Sequence, residues 1–407
     1  EGMPSDLWGD FESEVATLLK DEQISEEDAR RYRQEARLAL TEGLAPAYAR
    51  LLAWAQSELP EDEGPVTGLS NRNDDGAYYN YLLRRHTTTN LTADEIHEIG
   101  LAEVARLRGE MEIIKEQVGF EGDLRAFFDM LRGATGNERF YFPNTDEGRQ
   151  GYLDEATAAI ERIKARLPDY FGILPKADLV VRRVEPFREQ DGAAQHYYPA
   201  ALDGSRPGIY YAHLSDMNAM PKHELEVIAY HEGLPGHHMQ IAIAQELEGI
   251  PTFRTQTNFN AYAEGWGLYA EWLATEIDGS YVDPYSEFGR LGSEMWRAIR
   301  LVVDTGLHAK GWTEEEANAY FLDNGPITEA QARSEVRRYI VMPGQATGYK
   351  IGMLRIQALR RKAEAALGDA FDIRAFHDTI LGGGAMPLTL LEARVDRWIA
   401  DTQGSDA

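Results

Sequence analysis

The chain has 407 residues, 41 Lys+Arg against 68 Asp+Glu, a formal net charge of -27, and is 43% hydrophobic. So negative a surface repels phosphate and argues against nucleic acid or an anionic membrane as partner. The apolar share supports a sizeable core, and the absence of cysteine excludes disulfides, a thiolate nucleophile and Cys-ligated zinc or iron–sulfur clusters.

Most of the chain reads as helix. Ser25-x-x-Asp28, Thr92-x-x-Glu95 and Thr313-x-x-Glu316 have the spacing of capping boxes, each ahead of apolar residues at helical period. Residues 91–118 keep Ile96, Ile99, Val104, Leu107 and Met111 on one face, and similar patterns predict helices over 147–167, 221–247, 258–277, 287–308, 331–341 and 347–367. Only 178–184 and 208–214 favour strand. At roughly 150 residues per domain the length allows two or three units, but no internal repeat or low-complexity linker divides the sequence. The expectation is a mainly α fold with a small β element. No run of about 18 apolar residues occurs, so insertion in a membrane is not expected. The lack of cysteine and a start at Glu1-Gly2-Met3-Pro4, readable as a trimmed mature end, lean toward an exported or periplasmic protein.

Three of the ten histidines fall in Tyr230-His231-Glu232-Gly233-Leu234-Pro235-Gly236-His237-His238-Met239-Gln240. A His-Glu pair followed on a helix by a further His is how a mononuclear zinc hydrolase is built: imidazoles hold the metal, and the adjacent carboxylate handles the proton of the attacking water. The spacing differs from H-E-x-x-H. On a regular helix His237 lies a rise of roughly 9 Å beyond His231 and about 240° around the axis, and His238 about 10.5 Å beyond. With zinc–nitrogen bonds of about 2 Å, neither can share an ion with His231 on an unbroken helix. Gly233, Pro235 and Gly236 supply a break. Looping out two residues favours His237 over His238 as second ligand. Glu264, in Tyr262-Ala263-Glu264-Gly265-Trp266-Gly267-Leu268-Tyr269-Ala270-Glu271, has the placement of a third ligand on a second helix. Glu271, two turns on, reads either as a support for the ligands or as a surface charge. Packing and carboxylate pairing are the bland alternative for such histidines, and the glutamate motif weighs against it.

The stretches HEGLPGHHMQ, AEGWGLYAE, RLVVDTGLHAKGWT and PGQATGYKIG resemble the bacterial family called domain of unknown function 885, from about Tyr78 to the Pro387-to-Leu391 segment. That family is similar to the helical glutamate zinc metallopeptidases of the carboxypeptidase Taq and angiotensin-converting enzyme groups. The resemblance implies a single helical catalytic domain over 1–407 with a central cleft, made of an N-terminal helical segment at 1–75 and a family core at 76–407. It implies Zn2+ on His231, His237 and Glu264, with Glu232 as general base. It also implies a tyrosine hydroxyl that stabilises the tetrahedral intermediate, for which Tyr349 is the first choice, and a substrate backbone held on an edge strand at 208–211. Arg206 and Tyr211 are then candidate substrate contacts, the arginine through its fork. Tyr81, Arg84 and His86 are weaker candidates for a facing wall.

Arg300, Asp304 and His308 stand at i, i+4 and i+8 and share a helix face. Either Asp304 orients His308 to donate to an oxyanion, with Arg300 as a substrate contact, or the three are a buried structural network. The functional expectation is a zinc-dependent hydrolase cleaving short peptides. The alternatives are a zinc hydrolase or lyase acting on a non-peptide amide or specialised metabolite, and a catalytically silent peptide- or metal-binding protein. The sequence leaves the oligomeric state open.

Overall fold

Side chain and backbone satisfy each other where the helices start. Ser25 and Asp28, Thr92 and Glu95, and Thr313 and Glu316 all form reciprocal capping boxes, and Thr328 with Gln331 makes a fourth. Each ties up backbone N–H groups that the first helical turn would leave without partners. The computed structural model describes residues 6–58, 68–189 and 194–405. The fold is mainly α, with one small sheet. Among the described residues no helix is long and apolar enough to cross a membrane.

The chain divides into two compact units, residues 1–65 and 66–407. The first holds helices Asp6–Lys20, Glu26–Leu38 and Ala45–Glu58, the last two joined by a wider helical turn at Ala39–Leu44. Within it Arg33 pairs with Glu12 at 2.9 Å.

The second unit is built on two helix pairs. Ala93–Gln117 packs along Pro284–Ala309, and Asn260–Leu273 packs along Gly348–Leu367. Close approach explains the small residues in the second pair. A Cβ on Gly265 would lie 2.5 Å from the Gly352 Cα, so only glycine lets these two backbones touch. Apolar side chains fill the space around each pair. Tyr152, Met239, Trp266, Met353 and Leu359 belong to one core, and Leu107, Phe127, Phe288, Val303 and Tyr339 to the other.

Three strands form the sheet, in the order β1-β3-β2: β1 Leu179–Arg183, β2 His196–Tyr198 and β3 Gly208–Ala212. β3 runs parallel to β1 and antiparallel to β2. The sequence analysis missed β2, which at three residues is too short to show an alternating pattern. This also corrects the expected edge strand: residues 208–211 lie in the central strand, with both ladders occupied and every side chain buried. A substrate backbone has no free hydrogen-bonding edge there.

Buried charge ties the helix pairs together. Lys350, fully buried, contacts Glu294 at 2.5 Å and Glu103 at 2.9 Å, while Glu294 also meets Arg290 at 2.7 Å and Arg106 at 2.6 Å. Burial alone would raise the Glu294 carboxyl, but the three cations outweigh it and hold it down at about 2.

Gly265→Ala forces the Asn260–Leu273 and Gly348–Leu367 backbones apart, and chemical denaturation should show a loss of about 1–3 kcal/mol. Gly109→Ala, on an exposed helical face with nothing within 4 Å of the new Cβ, should instead gain roughly 0.5–1 kcal/mol.

Candidate metal centre

The His-Glu segment is broken where its composition allows. Helix Leu225–Glu232 ends at Gly233, the Leu234-Pro235 peptide is cis, and a new helix, His237–Glu246, starts at once. Gly236 backs onto the preceding turn so closely that a Cβ would sit 2.0 Å from the His231 carbonyl oxygen. From the neighbouring helix the fully buried Trp266 donates its indole N–H to the Pro235 carbonyl at 2.9 Å, pinning the break.

The consequence is a triangle of ligand atoms. His231 Nε2 and His237 Nε2 lie 3.6 and 3.5 Å from the same oxygen, Glu264 Oε2, and the three ligand atoms all fall within 4.8 Å of one another. Bonds of about 2.0–2.1 Å at a tetrahedral centre set ligand atoms roughly 3.3–3.4 Å apart, so the donors suit a zinc-sized ion in number and type, and the two His–Glu264 separations come close to its spacing. Helix Asn260–Leu273 reaches this close because it carries no side chain at Gly267, where a Cβ would meet the His231 ring at 2.7 Å.

Behind the triangle, Glu271 is 1% exposed and receives the His231 Nδ1–H at 2.6 Å. A carboxylate can only accept, so the bond fixes the tautomer that turns the Nε2 lone pair toward Glu264. Burial lowers the His231 imidazole, but Glu264 and Glu271 outweigh it and raise it to about 10. Glu264 is held well below the usual carboxylate range: the two imidazoles overcome the upward push of burial. The His231 shift reports a negative potential from the surrounding carboxylates, where a positive charge is favoured, and the Glu264 shift reports the two imidazoles beside it. Buried His237 Nδ1 has no hydrogen-bond partner.

Glu232, directly after His231, keeps part of its surface accessible. Burial raises its carboxyl, helped by the Glu264 charge and opposed by His231 and His237. Higher proton affinity suits a group that must take a proton and give it back. Tyr349 is also partly accessible, and burial together with the Glu264 charge raises its phenol. It therefore remains a donor at neutral pH.

Other sequence candidates lie elsewhere. His238 is fully engaged, donating from Nε2 to the Ala177 carbonyl at 3.1 Å and accepting at Nδ1 from the Tyr197 hydroxyl at 3.0 Å, which leaves no lone pair for a metal. His308 likewise donates from Nε2 to the Tyr339 carbonyl and accepts the Leu69 N–H, so it has no donor for an oxyanion. Asp304 does not hold His308 through a hydrogen bond. It accepts from the Tyr79 hydroxyl at 2.5 Å and the Gly344 N–H at 3.0 Å, anchoring the loop that leads to Tyr349 at a left-handed glycine, φ +81°. The Arg206 fork closes a turn on the Pro199 and Pro207 carbonyls. Tyr211 points to the sheet face of Val184 and Ile209, whereas Tyr210 on the opposite face carries a hydroxyl whose proton affinity is raised chiefly by burial, with Tyr152 and the Glu232 charge adding to it. Tyr81 stacks with Tyr78, and both are exposed.

Arg300 is divided. Nε donates to the Tyr339 hydroxyl at 2.9 Å and Nη2 to Glu335 at 3.0 Å, but the guanidinium lies 4.6 Å from the centre of the Tyr349 ring. Arg297, which the sequence analysis passed over, lies 5.9 Å from the same ring. The signal for it was a second arginine one turn away on a largely apolar helix.

Comparison with known proteins agrees with the fold. Residues 5–395 match the family described as Bacterial protein of unknown function (DUF885). The crystal structure of a candidate lipoprotein from Colwellia psychrerythraea superposes with a TM-score of 0.90 at 34% identity, covering 96% of this chain and 66% of that one. A candidate lipoprotein of unknown function from Shewanella oneidensis gives 0.69 at 20% identity, over 96% and 69%. The chain thus spans just under two thirds of the Colwellia protein's length. No curated protein matches it.

The geometry separates the two adjacent histidines by a direct measurement. His237→Ala should abolish zinc uptake in a competitive chelator titration, and His238→Ala should retain it while melting earlier. Glu271→Gln should weaken zinc binding by about ten- to a hundredfold.

Proposed function

We propose that this chain, which belongs to the bacterial DUF885 family, is a zinc-dependent hydrolase that cleaves short peptides with an activated water. The observation that carries the reading is the convergence of His231, His237 and Glu264 on one point, with Glu232 next in sequence to the first ligand. An ion held there supplies Lewis acidity that polarises a carbonyl and makes water acidic enough to deprotonate near neutral pH.

The chain's own groups divide the rest of the work. Glu232 takes the proton of the attacking water and passes it to the departing amine nitrogen as the carbon–nitrogen bond breaks. Tyr349, kept protonated by its surroundings, donates to the oxygen that gains charge when the carbonyl becomes tetrahedral. Glu271 keeps the His231 ring from turning. Since β3 is paired on both sides, the free edges of the sheet belong to β1 and β2. The naming of the Colwellia and Shewanella proteins as candidate lipoproteins supports an exported location.

Four measurements test this reading together. Purified protein should hold about one zinc per chain, and a peptide-library digest should show cleavage that a chelator stops and zinc restores. Glu232→Gln should keep zinc and fold while lowering turnover by about a hundredfold or more. Tyr349→Phe should lower turnover by about two to three powers of ten with little change in KM. Full activity without metal, or a Glu232→Gln protein at the wild-type rate, overturns the proposal.

A further inference from the structure

A cavity of about 610 Å³ is lined by residues that take no part in the metal centre. Its walls come from helices Asp146–Lys164 and Leu225–Glu232 and from the turn that starts helix Pro284–Ala309. One wall carries the His223 imidazole, 9% exposed. Its Nδ1 is buried without a hydrogen-bond partner, and Nε2 lies 3.9 Å from a Glu224 oxygen, beyond hydrogen-bond reach. Burial pushes the imidazole down to about 4, so at neutral pH the ring is uncharged, with one donor and one acceptor unused. Gly289 holds its backbone in place, since a Cβ there would sit 1.7 Å from the His223 carbonyl oxygen. A buried polar ring left unbonded is costly, and folded proteins keep few of them.

Charges of both signs line the same cavity without cancelling. Glu226 is already satisfied, by Arg162 at 2.9 Å and by the Tyr230 hydroxyl at 3.0 Å. Arg139 and Lys222 are not: among the described residues neither meets a carboxylate. The Arg139 guanidinium lies 4.9 Å from the centre of the Tyr285 ring. Lys222 Nζ donates to the Glu138 carbonyl at 2.8 Å and lies 4.0 Å from the centre of the Phe142 ring. The Lys222 N–H also donates to the Phe140 carbonyl at 2.8 Å, so the two cations come from segments bonded side by side. The Glu155 carboxylate, on the cavity's helical wall, meets no cation among the described residues. Phe140 and Tyr285, their ring centres 4.9 Å apart, add an aromatic surface.

A ligand of a single charge would match one set of these groups and leave the other uncompensated. A divalent cation fares no better, because among the described residues the His and carboxylate groups close enough to share an ion are those of His231, His237 and Glu264. We infer that the cavity receives a small zwitterion with an apolar side chain, an α-amino acid or a dipeptide. Its carboxylate is taken by Arg139 and Lys222, its ammonium by Glu155, and its side chain by Phe140 and Tyr285. Such charge-assisted bonds are the strong ones, and the His223 ring supplies a neutral polar contact beside them. The site stands on these groups alone and does not depend on the hydrolase reading.

Calorimetry with phenylalanine and with the dipeptide Ala-Phe tests it, on the wild-type chain and on His237→Ala, whose metal centre is incomplete. At least one of the two ligands should bind both proteins alike, and the tighter one identifies the source of the zwitterion. Blocking either of its charges, as the N-acetyl or the C-terminal amide form, should weaken binding by about ten- to a hundredfold. Arg139→Gln combined with Lys222→Gln should erase the effect of amidation, and Glu155→Gln the effect of acetylation. Arg139 and Glu155 are exposed and Lys222 is half-buried, so these variants should keep the wild-type melting temperature. The inference is overturned if neither ligand binds, if blocked and free forms bind equally, or if His237→Ala abolishes binding. An undiminished penalty for amidation in the folded Arg139→Gln, Lys222→Gln protein overturns it as well.

Discussion

Like charges held close together inside the fold are the constraint from which the rest follows. Glu232, Glu264 and Glu271 all act electrostatically on the His231 imidazole, and His237 adds a second ring whose centre is 4.7 Å away. Two like unit charges 4 Å apart cost about 4 kcal/mol even at an effective dielectric constant of 20. The raised His231 expresses the demand of these carboxylates for positive charge among them, and the depressed Glu264 shows the two imidazoles answering it. The break after Gly233, the bare helix surface at Gly267 and the Trp266 bond to Pro235 are the backbone arrangements that let the donors meet where that charge would sit.

A second set of buried charges holds the surrounding helices in register. Lys350 follows Tyr349 directly, and Glu294 lies one turn before Arg297. Their 2.5 Å contact therefore fixes the tyrosine against the arginine-bearing helix. Removing one partner of such a pair typically costs 3–5 kcal/mol. Asp304 performs the same service from the loop side through Gly344. Residues outside the His231–His237–Glu264 cluster thus fix where Tyr349 lies.

Local chemistry was the legible part of the sequence. Capping boxes, long amphipathic helices and the glycine–proline break each act within a few residues, so a linear reading recovers them. The approach of His231 to His237 was legible because an unbroken helix would hold them apart and Gly233, Pro235 and Gly236 supply a break between them. Pairing across the chain was not. Strand β2 is three residues long, and nothing in Gly208–Ala212 announces that both of its edges are occupied. Arg300, Asp304 and His308 do lie on one helix face, but spacing says nothing of Tyr79, Leu69 or Tyr339, which engage them from distant segments. His238 shows the same limit: its partners Tyr197 and Ala177 are 41 and 61 residues away.

Net charge is an equally poor guide to the field a ligand meets inside. At physiological ionic strength the screening length is about 8 Å, so most of the 68 acidic side chains are screened from the His231–His237–Glu264 cluster. What acts there is the handful of groups within one or two side-chain lengths, and these alternate in sign: carboxylates around the His231–His237 pair, then guanidinium groups across Tyr349. The overall negative charge still matters outside, where it slows the approach of anionic ligands in low salt. Discrimination between ligands therefore has to come from groups at short range, such as the carboxylates beside His231 and the arginines across Tyr349.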